Sequence, residues 1–160
     1  MITAHVERLH DTLEELKPMF GPHYAELALN QDKVSLDPQY DLYLLREQMG
    51  EVLLVVLREA GKVVAYFVGF VAPGMHYRTC LTLTMDIFWL CPEYRDGDSL
   101  EKLEGQMLAV QLFEEVRAEA KRRGVQRVFY GSKLHKDASQ VFEDLGMVEV
   151  ERYYSAWLGD

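Results

Sequence analysis

Six consecutive apolar residues, Val52, Leu53, Leu54, Val55, Val56 and Leu57, limit what this 160-residue chain can fold into more than any other feature. A strand with one wet face alternates apolar and polar residues, whereas a run with no polar position needs packing on both faces. Glu59, Ala60 and Gly61 follow, and residues 62–72 are again rich in β-branched and aromatic side chains. A short glycine-containing break between two such runs predicts a hairpin. Pro73-Gly74 ends the second run, and residues 78–90 form a third long strand. The centre of the chain is therefore a sheet that something must cover above and below.

The covering elements read as helices. Over residues 3–16, Val6, Leu9, Leu13 and Leu16 recur at helical spacing, with Pro18, Gly21 and Pro22 ending or kinking that helix and a shorter piece at 24–29. Asp37-Pro38 reads as an N-cap and first-turn proline for a helix stopped by Gly50. A long helix within 99–123 stops at Gly124, a strand covers 125–130, a short helix at 139–145 stops at Gly146, and 148–157 is a last strand. Helices alternating with strands in the second half imply a crossover connection. No repeat, low-complexity tract or linker divides residues 1–160, which read as a single domain.

Several function classes fall away on composition. A net charge of −9 and a pI near 5.0 leave no basic surface for nucleic acid, whose non-specific affinity comes from neutralising phosphates. No apolar run approaches the roughly 20 residues needed to cross a bilayer, and no leader opens the chain, so a cytoplasmic protein is expected. Cys80 and Cys91 are the only cysteines and lack partners at ligand spacing, which points to free thiols rather than a disulfide or zinc site.

Residues 86–95 (Asp-Ile-Phe-Trp-Leu-Cys-Pro-Glu-Tyr-Arg) carry the third strand into a proline turn and an arginine just ahead of the long helix. A helix that starts there aims unpaired N–H groups and the positive end of its dipole back at the turn, which is where an anion can sit. Around this stretch lie Tyr40 before Gly50-Glu51-Val52-Leu53, the hairpin Gly61, His76-Tyr77, Gly124-Val125 and Phe142-Glu143-Asp144-Leu145-Gly146-Met147. In that order and spacing the chain resembles the GCN5-related N-acetyltransferase (GNAT) superfamily from about residue 35 onward. It looks especially like the compact GNAT proteins of tailed bacteriophages, which share a tyrosine-rich end such as Tyr153-Tyr154-Ser155.

The resemblance implies an α+β fold: one GNAT-like domain whose mixed, mostly antiparallel central sheet has helices on both faces. It also implies acetyl transfer from acetyl-CoA to an amine of a small molecule or a host protein, in the host bacterial cytoplasm if the chain is phage-encoded. A homodimer is open to such a domain. The alternative is a catalytically impaired phage protein on the same fold that binds and modulates a host protein.

Where the family places its pyrophosphate loop, this chain departs from the pattern. Such a loop uses small residues so that backbone N–H groups can approach the phosphates. After Arg95 come Asp96, Gly97, Asp98 and Ser99, with carboxylates where anions should sit. A second register, counted back from Gly124, puts Gly105 in the cradle and makes 96–103 an insertion. The plainer reading of Asp98-Ser99-Leu100-Glu101 is a capping box that simply starts the helix.

For chemistry, Asp86 is the candidate base: on an alternating strand it shares a face with Thr82, Thr84 and Phe88, and burial would raise its pKa. By resemblance, the backbone at Leu90 and Cys91 supplies the oxyanion donors. The family's leaving-group tyrosine is matched by Phe142, which has no proton to give, so Tyr130, Tyr153, Tyr154 or water must substitute, with Tyr154 taken as the candidate. Tyr153 and Tyr154 alternate on the last strand, so one of them faces the core. His135, in the basic loop Ser132-Lys133-Leu134-His135-Lys136 before a capping box at Asp137 and Gln140, could meet cofactor phosphates. His76 and Tyr77 stand in a loop suited to substrate contact. For each of these residues packing or a solvated turn is the competing account.

Overall fold

The computed structural model describes residues 1–160, apart from the side chain of Ser99. Its elements are β1 (Ile2–Glu7), α1 (Leu9–Leu27), α2 (Tyr40–Gln48), β2 (Val52–Glu59), β3 (Lys62–Gly74), β4 (Tyr77–Leu90), α3 (Ser99–Arg122), β5 (Arg127–Phe129) and α4 (Ser139–Asp144), with a 3-10 turn at Pro92–Tyr94. The five strands form one sheet in chain order, antiparallel except for the parallel β4–β5 pair. The architecture is α+β with a mixed sheet and helices on both faces, as the sequence implies.

The all-apolar strand sits where its composition demands. In β2, Leu53, Val55 and Leu57 pack toward α3, while Val52, Leu54 and Val56 pack toward α1 and α2. Alternate residues of one strand thus feed two cores. Gly61 at φ 84 and Ala60 at φ 48 form the two-residue hairpin turn, a left-handed pair matched to the twist of the flanking strands.

The N-terminus departs from expectation. Residues 2–7 are strand, with alternating exposure, because β2 offers them a free ladder edge and tertiary pairing overrides a weak helical period. Arg58 fixes this corner: its guanidinium meets Glu7 at 2.7 Å, Glu15 at 2.9 Å and the Gly61 carbonyl at 2.6 Å. Helix α1 then runs unbroken to Leu27 through Pro18 and Pro22. Burial of Leu9, Leu13 and Leu16 on the sheet outweighs the lost helical bonds. Asp37 caps nothing, since α2 starts at Tyr40 behind Gln39, but Gly50 ends it in the left-handed region at φ 76.

The last strand does not form. Residues 148–160 have no regular structure and are exposed throughout, so neither Tyr153 nor Tyr154 faces the core. An isolated strand has no ladder bonds to hold it, and β5, only three residues long, pairs with β4 alone. In the tail, the ring of Trp157 lies 5.6 Å from the ammonium of Lys33 in the α1–α2 loop.

Candidate active site

The strand β4, which carries the candidate base, has a ladder that is irregular at one residue. Val68 pairs with Ile87 and Gly69 with Met85, so Asp86 is the unpaired extra residue of a β-bulge. Its consequence is a change of face. Leu81, Leu83 and Met85 pack toward α3, and after the bulge so do Phe88 and Leu90, while Ile87 and Trp89 turn toward α1 and α2. Asp86 therefore does not share a face with Phe88; it points toward α2, where the Tyr43 hydroxyl donates to its carboxylate. A shift in parity was written in the sequence, since the apolar residues 81, 83 and 85 give way to the unbroken run 87–90.

Burial holds the Asp86 pKa above the usual carboxylate range, against the opposing effects of the Tyr43 hydrogen bond and the nearby Arg46 charge. Because the side chain stays open to water by surface area, only part of that upward push operates. Arg46 is itself occupied, paired with Glu51 at 2.9 Å and stacked 3.8 Å from the Phe70 ring centroid. Tyr43 is the partner of Asp86 that sequence reasoning missed. Its only signal was a place on the inward face of a helix whose docking could not be foreseen.

Beyond the bulge, β4 outruns its neighbour. The last β4–β5 pair is Thr84 with Phe129, so β4 continues to Leu90 with no strand on that side. The amide of Cys91 donates to the Val64 carbonyl at 2.9 Å and is spent on β3. Antiparallel alternation then turns the N–H groups of Leu90 and Phe88 the other way, into the wedge left by β5. Burial pushes the Cys91 thiol up to about 11, so it stays a neutral thiol at physiological pH. The wedge is floored by aromatic rings: Phe113 lies 4.9 Å from both Phe88 and Tyr130, and Phe142 lies 5.5 Å from Tyr130. Tyr130 is thus the tyrosine beside Phe142, with a hydroxyl pushed up to about 12 by burial. Tyr154, at 91% exposure on the tail, is brought to no site.

The loop after Arg95 is closed on itself. Asp98 accepts from the amides of Leu100 at 2.9 Å and Glu101 at 3.1 Å, while Glu101 accepts from the Asp98 amide at 2.8 Å. This is the capping box read from sequence, and it fills the helix end with protein carboxylate. Arg95 donates to the Leu90 carbonyl at 2.7 Å, to Asp96 at 2.8 Å and to Glu26. Its charge is neutralised internally. A Cβ on Gly97 would meet the Glu101 carboxylate at 1.6 Å, and one on Gly105 would meet the Arg95 Cα at 2.8 Å and the Tyr94 carbonyl at 2.8 Å. Gly105 lies inside α3, where it seats the 3-10 turn rather than an anion. Ser99 begins α3, and its side chain lies outside the described residues. The helix end as it stands does not fit a pyrophosphate, which would have to displace Asp98 and Glu101.

His135 is exposed in a loop whose Lys136 stands 3.7 Å from Asp96. Gln140 bonds Asp144 instead of reaching back, and α4 starts behind Ala138 with no side-chain cap, so the expected capping box does not form; Asp137 accepts from the Ser139 amide at 2.9 Å. His76 and Tyr77 are at the far end of β4, about 30 Å from Asp86 at roughly 3.3 Å per residue. The structure does not bring them to the site. Among the described residues no cluster of metal-ligating side chains occurs, and no helix is long and apolar enough to cross a membrane.

No family model and no curated protein matches this sequence. Solved structures do. Ribosomal-protein-alanine N-acetyltransferase from Brucella melitensis biovar Abortus 2308 superposes with a TM-score of 0.68 at 14% identity, over 100% of this chain and 99% of that one. Glucosamine-6-phosphate N-acetyltransferase from Arabidopsis thaliana gives 0.67 at 13% identity over 99% of both chains. A "predicted acetyltransferase" from Clostridium acetobutylicum, solved with acetyl-CoA, gives 0.61 at 11% over 99% and 97%. At these identities the likeness is one of fold alone: this chain shares the architecture of these acetyltransferase structures.

Proposed function

We propose that this protein is an N-acetyltransferase that moves the acetyl group of acetyl-CoA to an amine of a small molecule or a protein. The observation that carries the reading is the β4 bulge, which sets a carboxylate with a raised pKa on the strand whose following N–H groups, at Phe88 and Leu90, face the gap left by β5. In the transfer, the amine nitrogen attacks the thioester carbon and the carbon–sulfur bond breaks. The N–H groups of Phe88 or Leu90 donate to the oxygen as it becomes negative. Phe88 stands two residues from Asp86, about 7 Å along the strand, so Asp86 takes the amine proton through one water rather than directly. Tyr130 or solvent protonates the departing thiolate, whose basicity near that of cysteine, ~8.5, makes it a tolerable leaving group. Arg95, Asp96, Gly97, Asp98, Gly105 and His135 border the region where the nucleotide end would lie, and binding there requires the capping box to open.

A second reading is favoured by that closed helix end and by Phe142: a phage-encoded protein that keeps the fold, has lost the cofactor and docks on a host bacterial protein. Thermal unfolding with millimolar acetyl-CoA separates the two, because a ligand that binds only the folded state raises its stability. A rise in Tm together with loss of transfer in Asp86→Asn supports the enzyme. An unchanged Tm sinks it and leaves the docking protein.

A further inference from the structure

Helix α2 brings Tyr43 to Asp86 without being rooted in the core. None of its nine residues is buried, whereas its neighbour α1 buries Leu9, Leu13 and Leu16. A helix with so little apolar burial keeps its place through side-chain contacts at its surface. At its start Tyr40 stacks on Phe20 with 6.3 Å between ring centroids, and near its end Arg46 pairs with Glu51 in the turn that follows. Neither contact reaches the start of α1.

Glu47 does. Helix α1 begins at Leu9 behind Arg8, whose side chain caps nothing. The first amides of a helix have no partner within it. Here the amides of Leu9 and His10 donate to the two carboxylate oxygens of Glu47, 38 and 37 residues away, at 2.8 Å for His10. The positive helix end and the negative side chain agree in sign. This cap therefore ties α2 to α1 as well as satisfying α1.

Glu47 stands four residues after Tyr43, so the two project from the same side of α2, one turn apart. Tyr43 is the residue whose hydroxyl donates to Asp86. The charged and titratable groups that bear on Asp86 are Tyr43 and Arg46; both belong to α2 and both favour its ionised form. Strand β3 adds none, since Val68 and Gly69 are the residues across the bulge. The environment of Asp86 is thus set by where α2 lies.

We infer that Glu47 is a positioning residue: by capping α1 from across the fold, its carboxylate holds α2 where the Tyr43 hydroxyl meets Asp86. The inference rests on Asp86 as the base of the proposed transfer, and Glu47 itself touches no reacting atom.

Position 8 separates the tether from the cap. Glu47→Ala removes both. Adding Arg8→Ser at an exposed site gives α1 a cap from its own chain, because an N-cap serine accepts from the amides of the first turn, and leaves α2 loose. The readout is the Asp86 pKa, from carbon-13 shifts of labelled aspartate carboxyls assigned with Asp86→Asn, in the protein without cofactor or acceptor. Glu47→Ala should raise that pKa, as loss of the Tyr43 hydrogen bond does. The rise should persist in the double variant although its Tm recovers, and most of it should vanish in a Tyr43→Phe background. An unmoved Asp86, a value restored by Arg8→Ser, or a shift of full size without the Tyr43 hydroxyl would each overturn the inference and leave Glu47 a helix cap. Far-UV circular dichroism verifies folding, and the double variant, with its helix start capped, carries the test if Glu47→Ala alone unfolds. In the transfer reaction the acidic limb of kcat/KM should move to higher pH in Glu47→Ala. Absence of any transfer with the pKa shift present would sink the reaction and not the tether.

Discussion

Asp86 on β4 and Asp98 at the start of α3 differ in what has been done with their charge. Asp98 spends its carboxylate on the amides of Leu100 and Glu101 at a helix start, where charge and dipole agree. Asp86 is lifted out of the ladder by a bulge, receives one hydrogen bond from Tyr43, and is held above its ordinary pKa by burial. The first carboxylate stabilises the fold and is unavailable, whereas the second is available and costs the fold something. Abundance of acidic groups near a cleft therefore says little until each one's donors are counted.

The largest separation between the two should come from Asp86→Asn. Loss of a general base lowers kcat by about 10²- to 10⁴-fold. Stability should move the other way. A carboxyl whose folded pKa is raised stabilises the fold fully below its unfolded pKa, and that contribution is lost as pH rises through the folded pKa. At pH 7 the charged Asp86 is a net cost, so asparagine should leave Tm unchanged or higher. A rate within a factor of two of the unaltered protein would remove Asp86 from the mechanism.

Gly105→Ala comes next. Alanine favours helices, but the new Cβ would lie 2.6 Å from the Arg95 Cβ and 2.8 Å from its Cα, and backbone cannot yield as a side-chain tip can. Overpacking of this kind costs about 1–3 kcal/mol. Denaturant unfolding should show that loss, and an increase in stability would mean that the 3-10 turn moves freely.

Asp98→Ala should have a smaller effect of mixed sign. Losing an N-cap costs about 1 kcal/mol. The same change bares the α3 amides, so if the helix end is a blocked anion site, acetyl-CoA should raise Tm more in the variant than in the parent. An equal or smaller shift would place the nucleotide elsewhere.

Legibility in the sequence followed the range of the interactions involved. The two-faced strand β2, the Gly61 hairpin, the α3 capping box and the glycine stops depend on neighbours within a few residues, and all were readable. Strand β1 was not, because Ile2, Ala4 and Val6 are strand only when β2 offers an edge. The helical continuity across Pro18 and Pro22 likewise depends on the sheet beneath it. At the site, Asp86 could be singled out, but its partner Tyr43 could not, since that contact joins residues 43 apart in sequence. Tyr154 was favoured on the strength of a strand that needs a partner the chain does not give itself.

Tyr43→Phe should give the smallest and most diagnostic change. The Tyr43 hydroxyl donates to the charged form of Asp86 and so lowers its pKa against the upward push of burial. Phenylalanine keeps the packing on Phe70, 5.6 Å away, and removes only that proton. The Asp86 pKa should rise further, shifting the acidic limb of the rate profile to higher pH while the rate well above that limb stays near the parent value. A purely structural tyrosine would instead lower the rate by the same factor at every pH, and that outcome would reduce Tyr43 to packing. Since burial also holds the Tyr43 hydroxyl protonated far above neutral pH, the pair has one titrating member in the working range. A single shifted limb, rather than two, is the form the profile should take.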